Sequence, residues 1–239
     1  MAKKAATART QLRRPANRAA TARPGRPRSA GGNDDTPYHH GALRDALLDA
    51  AERVLERDGL AGLTLRAVAR EAGVSHAAPT HHFGDLTGLV SELAAIGFRQ
   101  FNVAMAAATA RGSSLTDKAL ARARAYVAYA QTHPGVYGLM FRTERLDMTR
   151  PSLREAAKAS FAGLAGAIGA SRQEPISEQA LSLEQAADIA RAWSLVHGFT
   201  MLLLDGRLTD ILSRLPAGAD AEILLDAMLR RAIGQLPTS

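Results

Sequence analysis

Seven histidines and no cysteine set the chemistry open to this 239-residue sequence. Without thiols there is no disulfide, no thiolate zinc site and no thiol nucleophile. Five of the histidines fall in one early stretch: His39, His40, His76, His81 and His82. An imidazole can bind a metal, move a proton or hydrogen-bond an anion. A metal site is the poorer reading, because His81 and His82 are adjacent and diverge on a helix. Catalysis has little support. His133 stands before the helix-breaking Pro134, and His197 has no acid three or four residues away. No glycine-rich phosphate loop or nucleophile elbow is present. No enzyme, metal or cofactor is therefore expected. What remains for His76, His81 and His82 is hydrogen bonding, in a setting that neighbouring elements must create.

Those elements read as helices. Leu43, Ala46, Leu47, Ala50, Ala51, Val54 and Leu55 form one apolar stripe at helical spacing, ended by Asp58-Gly59. Thr64 is a good N-cap for a second helix that buries Leu65, Val68, Ala69 and Ala72. Gly73 breaks that helix with a positive φ. Val74 then packs inward, and Ser75 caps a third helix. Pro79 must lie in the first turn of this third helix, which keeps it short. Small Ala69, Gly73, Val74 and Ser75 at this spacing match a helix-turn-helix, whose second helix enters the DNA major groove with its N-terminus toward phosphate. An αα-corner inside an ordinary core is the plainer alternative.

Further helices are expected at about 86–110, 115–132, 134–142, 151–170, 183–205 and 220–235. In the first of these Leu86, Leu89, Val90, Leu93, Ile96 and Phe101 point inward. Ser182 and Gln185 form a capping box for the helix after it. No strand or sustained heptad is visible, and the fold is expected to be all-α. It comprises a three-helix helix-turn-helix head and a helical bundle for ligand binding and dimerisation. The boundaries read as a disordered basic tail over 1–37, a DNA-binding domain over 38–84 and a regulatory, dimerisation domain over 85–239.

The segment from Gly59 to Leu89 resembles the head of the tetracycline repressor (TetR) family, in which the third helix typically ends in Tyr-x-His-Phe. Thr80-His81-His82-Phe83 stands at that place. The resemblance covers about residues 41–90. It implies a homodimeric transcriptional regulator with a ligand-binding helical body. Matching positions imply that Thr64 contacts phosphate at the start of the second helix and that Arg66 reaches a base or phosphate. They also imply that His76, Ala77, Ala78 and His81 face the groove, while Thr80 and His82 grip the backbone; Ser75, as the cap of that helix, is counted with them as a DNA-binding residue. Thr80 is shorter than the usual Tyr, and Leu86 replaces a common phosphate-binding Lys. Ala192-Trp-Ser-Leu-Val-His-Gly198 resembles the Trp-x-x-x-His-Gly signature of one C-terminal class of the family, and His133 to Phe141 fits the same class.

Ala190, Trp193, His197, Met201 and Leu204 share one helical stripe, and Gly198 permits a close helix crossing. A second stripe holds Leu224, Leu225, Met228, Leu229, Ala232 and Leu236. Two such helices from each of two chains would bury a homodimer core. Tyr126, Tyr137, Met140, Phe141, Phe161, Trp193 and His197 are the candidate wall of a pocket for a small hydrophobic effector. A core Trp bonded to a core His is the competing reading.

Charge is unevenly placed. Residues 1–36 carry nine Lys or Arg against two acids, a surplus that equals the whole chain's +7. Residues 38–90 hold five Arg and seven acids and are net negative. A basic tail beside a neutral body points to a polyanion partner. Arg23-Pro-Gly-Arg-Pro-Arg28 resembles the core of an AT-hook peptide, although a generic basic arm explains it as well. Removing the tail should flatten the salt dependence of DNA binding, by up to ~0.9 log unit per lost phosphate contact. No apolar run approaches the ~20 residues of a membrane span, and no secretory h-region is visible. A cytoplasmic protein is expected. Two functions follow from the residues: a repressor released from a near-palindromic operator by a small effector, or a ligand-independent architectural protein that coats DNA.

Overall fold

A computed structural model describes residues 37–177 and 179–234, without the side chains of 37–40 and 234. The expected basic tail lies outside the described residues. The described chain is helical throughout, with no strand. Its elements are α1 (Pro37–Gly62), α2 (Leu65–Glu71), α3 (Ala78–Phe83), α4 (Leu86–Ala110), α5 (Leu115–Thr132), α6 (Pro134–Met140), α7 (Pro151–Arg172), α8 (Leu183–Leu204), α9 (Thr209–Leu212) and α10 (Ala221–Gly234). A 3-10 turn covers Thr143–Arg145.

Two apolar clusters hold these helices together. The larger runs from Leu47 on α1 through Val68 and Phe83 to Leu93, Tyr137 and Leu153. It therefore continues from the first three helices into α4, α6 and α7. The smaller joins Leu120, Ala123 and Val127 of α5 to Phe199 of α8 and to Leu225 and Leu229 of α10. α4 is the central rod, packed against α5, α6 and α7. α6 presses on it at Gly97, where a Cβ would stand 2.5 Å from Val136 Cγ1 and 3.0 Å from Met140 Sδ. The Tyr129 hydroxyl donates to the buried carbonyl of that same glycine at 3.0 Å.

Local sequence explains most boundaries. Asp85 caps α4 by accepting from Gly88 N–H at 2.7 Å. Ser114 with Asp117, and Ser182 with Gln185, form complete capping boxes at α5 and α8. Pro134 and Pro151 open α6 and α7, as their fixed φ and missing N–H allow.

Several details depart from the periodic reading. α1 begins at Pro37, six residues before the apolar stripe. Ala46 is exposed, while Leu48 is buried in its stead. Leu65 and Ala72 are only half-buried, and Ala67 completes the buried side of α2. Leu86 is 37% exposed, because it sits at the first turn of α4, before that helix enters the core. Within this chain no helix crosses at Gly198: nothing lies within 4 Å of where its Cβ would be. Ala190, Trp193 and Met201 lie exposed on α8, so their stripe is a surface of this chain rather than part of its core. Leu236 of the last stripe is outside the described residues. The 3-10 turn and α9 carry no apolar period, and periodicity could not reveal them.

Candidate functional site

Thr64 begins the DNA-reading unit. Its backbone is extended, and its side chain accepts from Ala67 N–H at 3.1 Å, so it is the N-cap of α2. α2 ends in a Schellman turn: Val74 N–H bonds Ala69 C=O at 3.0 Å, and Gly73 N–H bonds Arg70 C=O at 3.2 Å. Gly73 has φ +68°, a region that costs residues with a Cβ about 1–2 kcal/mol. Val74 packs partly against the main core. The turn is thus fixed at both ends, by hydrogen bonds and by an apolar contact.

The third helix starts later than its sequence implies. Ser75 is not its cap. Ser75 C=O accepts Ala78 N–H at 3.0 Å, and Ala77 occupies the cap position without a side-chain bond. α3 is only six residues long, with Pro79 in its first turn and buried. Phe83 is also buried and anchors its end. Ser75, His76, Ala77, Thr80 and His81 are exposed beside one another in sequence, whereas Ala78 packs partly against the core. His82 is half-buried. The His81 and His82 rings meet edge to face, with centroids 5.4 Å apart. A helix this short has little dipole of its own, so side chains must supply most of its polar contacts.

The arginines of the head divide sharply. Arg53 and Arg57 both bond Glu71 at 2.9 Å, tying α1 to α2. These bonds hold the Glu71 carboxyl below its ordinary range, the Arg53 hydrogen bond first and the Arg57 one next. Arg57 also grips Asp58. Arg44 bonds Glu92 at 2.6 Å and lies 5.5 Å from the Phe83 ring centroid. Arg66 and Arg70 are exposed and make no ion pair among the described residues. They are the arginines of α2 still available to a polyanion.

Two contacts unseen in the sequence lock this unit to the rest of the chain. Arg150, the residue before α7, donates to the Phe83 carbonyl at the end of α3 at 3.1 Å. Its guanidinium also lies 3.6 Å from Glu92, which accepts from Ser152 at 2.9 Å. Glu56 of α1 accepts from the Gly135 and Val136 amides at the start of α6. Long-range pairs such as these have no spacing by which a sequence could announce them.

The proposed pocket residues only partly converge. Tyr126 on α5, Tyr137 and Phe141 around α6, and Trp193 and His197 on α8 form one aromatic cluster. His197 Nδ1 lies 3.0 Å from the Tyr126 hydroxyl and 2.8 Å from that of Tyr137. The two hydroxyls are 3.3 Å apart. Burial lowers the His197 pKa and raises those of Tyr126 and Tyr137. All three groups are thus held neutral. With Tyr137 donating to Tyr126, the 2.8 Å contact calls for the Nδ1–H tautomer of His197, donating to the Tyr137 hydroxyl oxygen. Met140 turns away into the core against Gly97. Phe161 stands 37% exposed on α7, with no ring contact to the cluster. Trp193 is 46% exposed, so the reading as a buried Trp bonded to His fails. A shallow recess of about 310 Å³ beside His197 is lined by Gly138, Phe141, Arg142, Glu144 and Met201.

Known proteins share both halves of this arrangement. Residues 47–93 match the family described as bacterial regulatory proteins, tetR family. Residues 119–232 match the tetracyclin repressor-like C-terminal domain. An uncharacterised HTH-type transcriptional regulator of Mycobacterium tuberculosis is 28% identical over 213 residues, covering 88% of this chain and 89% of its own. The HTH-type transcriptional regulator BetI of Burkholderia mallei is 38% identical over 85 residues, 36% of this chain and 42% of that protein. A solved protein of unknown function from Rhodococcus sp. RHA1 is 32% identical with a TM-score of 0.65, covering 82% of this chain and 98% of its own. With its fixed helix-turn-helix and its matched C-terminal bundle, the chain belongs to the tetracycline repressor family of DNA-binding transcriptional regulators.

Proposed function

We propose that the chain acts as a homodimeric repressor, released from a near-palindromic operator by a small molecule bound in the body. The observation that carries this reading is the Gly73 turn with the exposed set it presents: Ser75, His76, Ala77, Thr80 and His81. Thr64 retains a hydroxyl proton to donate to phosphate, since its oxygen accepts from Ala67. Arg66 and Arg70 supply positive charge in a head that has little to spare. His82 and Ala78 lie at the edge of the same surface and join it in part.

Dimerisation is supported by the face of α8. Trp193, Met201 and Leu202 are 46%, 36% and 43% exposed, and Ile223 on α10 is 52% exposed. Apolar side chains grouped in this way mark association surfaces, and the isologous symmetry of a two-fold dimer pairs such a face with itself. Arg150 and Glu56 give the body a mechanical hold on α3 and α1. An effector that shifts α6 or α7 would therefore move the heads off their half-sites, and the two affinities must be reciprocally coupled. Among the described residues no helix is long and apolar enough to cross a membrane.

Nuclease footprinting of the full chain on genomic fragments tests the proposal, with sedimentation run in parallel. Protection of a discrete palindrome by a dimer is the expected result. Diffuse protection that grows with protein concentration would replace it with the DNA-coating alternative.

A further inference from the structure

Arg122 on α5 is half-buried and differs from the other arginines around it. Two positions on, Arg124 turns outward and pairs with Asp226 and Glu222 of α10. Arg172 pairs with Glu174 and Asp188, and Arg191 reaches Asp188. Arg122 has no hydrogen-bond or ion-pair partner among the described residues. Its guanidinium rests on α7 at Gly163, with Nη2 3.3 Å and Nη1 3.7 Å from where a Cβ would be. The missing side chain at 163 is what leaves room for it. Burial lowers the Arg122 pKa, and no carboxylate nearby acts to raise it again.

Holding a cation partly out of water with no counter-ion is costly. An arginine that merely covered apolar surface would turn its head to solvent. This one rests its head against a neighbouring helix, with its nitrogens still open to an incoming anion from solvent. One helical turn along the same face of α5 stands Tyr126, the entry to the neutral Tyr126–Tyr137–His197 cluster. A single fixed positive charge thus lies beside an aromatic, uncharged wall. We infer that Arg122 is the anchor for the head group of an amphipathic carboxylate, whose apolar part extends toward the Tyr126–Trp193–His197 cluster. A monoanion is the matching charge, because one guanidinium stands there, and its planar fork accepts a carboxylate through two hydrogen bonds. The inference rests on the proposed effector-responsive regulator and names the chemical class of that effector.

The test uses the full-length protein and calorimetric titration with linear carboxylates from butanoate to dodecanoate, against the alcohols of matching length. The expected result is saturable binding of a carboxylate, at least about tenfold tighter than its alcohol. Arg122→Met should abolish that preference while leaving the alcohol affinity unchanged, and Arg122→Lys should retain part of it. The unliganded Arg122→Met protein should melt at or above the temperature of the unsubstituted chain, because it removes an unpaired charge. Equal affinity for acid and alcohol, no saturable binding by any carboxylate, or unchanged carboxylate binding in Arg122→Met would each overturn the inference. So would a lower melting temperature or a dissociated dimer in that variant, since either would make Arg122 a structural residue. Footprinting of the same preparations separates the two failures. A chain that protects a palindrome yet ignores carboxylates loses this inference alone, and one that protects none loses the parent proposal.

Discussion

At the scale of single residues, the head must bind a polyanion with few spare charges. Arg44, Arg53 and Arg57 are committed to Glu92, Glu71 and Asp58. The exposed His81, with His82 beside it, is therefore a natural supplement to Arg66 and Arg70. Their ring N–H groups can donate to phosphate oxygens, so a His81→Ala, His82→Ala double variant should bind the operator at least about tenfold more weakly, a hydrogen bond to a charged group being worth about 1.5–3 kcal/mol. Fluorescence anisotropy checks this, and an unchanged affinity would show that the imidazoles do not touch the DNA. In the body, pH acts on stability. Burial depresses the His197 pKa, so the unfolded chain binds the proton more readily than the folded one. The stability contributed by neutral His197 is present above the unfolded value of ~6.5 and is lost as pH drops through the folded value. The melting temperature of His197→Gln should accordingly fall less between pH 7 and pH 5 than that of the unsubstituted protein.

At the scale of elements, α2 and its turn are specified by two residues that can be altered separately. Thr64→Ala removes the N-cap bond to Ala67 and should cost about 1 kcal/mol of stability. Gly73→Ala forces a Cβ into the left-handed region and should cost about 1–2 kcal/mol. Both losses are readable in urea unfolding. They should differ in DNA binding at saturating folded protein. Gly73→Ala re-aims α3, whereas Thr64→Ala removes at most one phosphate contact. Such features were legible in the sequence because capping and positive φ are local chemistry. The starts of α4, α5, α6, α7 and α8 were legible for the same reason, each marked by a cap or a proline. The cap of α3 was misread: Ser75 has the right side chain, but the chain makes an extra turn through His76 and Ala77 before the helix begins. Pro79 fills N1 or N2 and leaves the cap at Ala77.

At the scale of the whole molecule, Arg150 links the start of α7 to the last carbonyl of α3 and to Glu92 on α4. Its Nε is buried, lacks a hydrogen-bond partner and lies 3.6 Å from Asp147. A guanidinium so incompletely satisfied can exchange partners at modest cost. Arg150→Gln should remove a charged hydrogen bond worth about 1.5–3 kcal/mol and uncouple the body from α3. Any ligand that weakens DNA binding by the unsubstituted protein should do so less in this variant, as measured by competition anisotropy. An identical response would show that α6 and Glu56 carry the signal without Arg150.

The sequence by itself determined the long helices, the helix-turn-helix and the family, because periodicity, caps and turn glycines act within a few residues of one another. It also placed Tyr126, Tyr137, Phe141, Trp193 and His197 in one group, since helical spacing and the family's C-terminal signature both pointed there. Only the tertiary structure decided that Phe161 and Met140 stand apart, that Trp193 is half-exposed, and that within the chain it is Gly97 that receives a neighbouring helix. It alone revealed that Arg150 holds Phe83 and that Arg122 has no ion-pair partner among the described residues. The physical reason is distance along the chain. Arg150 and Phe83 are 67 residues apart, and an ion pair or its absence is set by which helix faces meet in space, which no local pattern records.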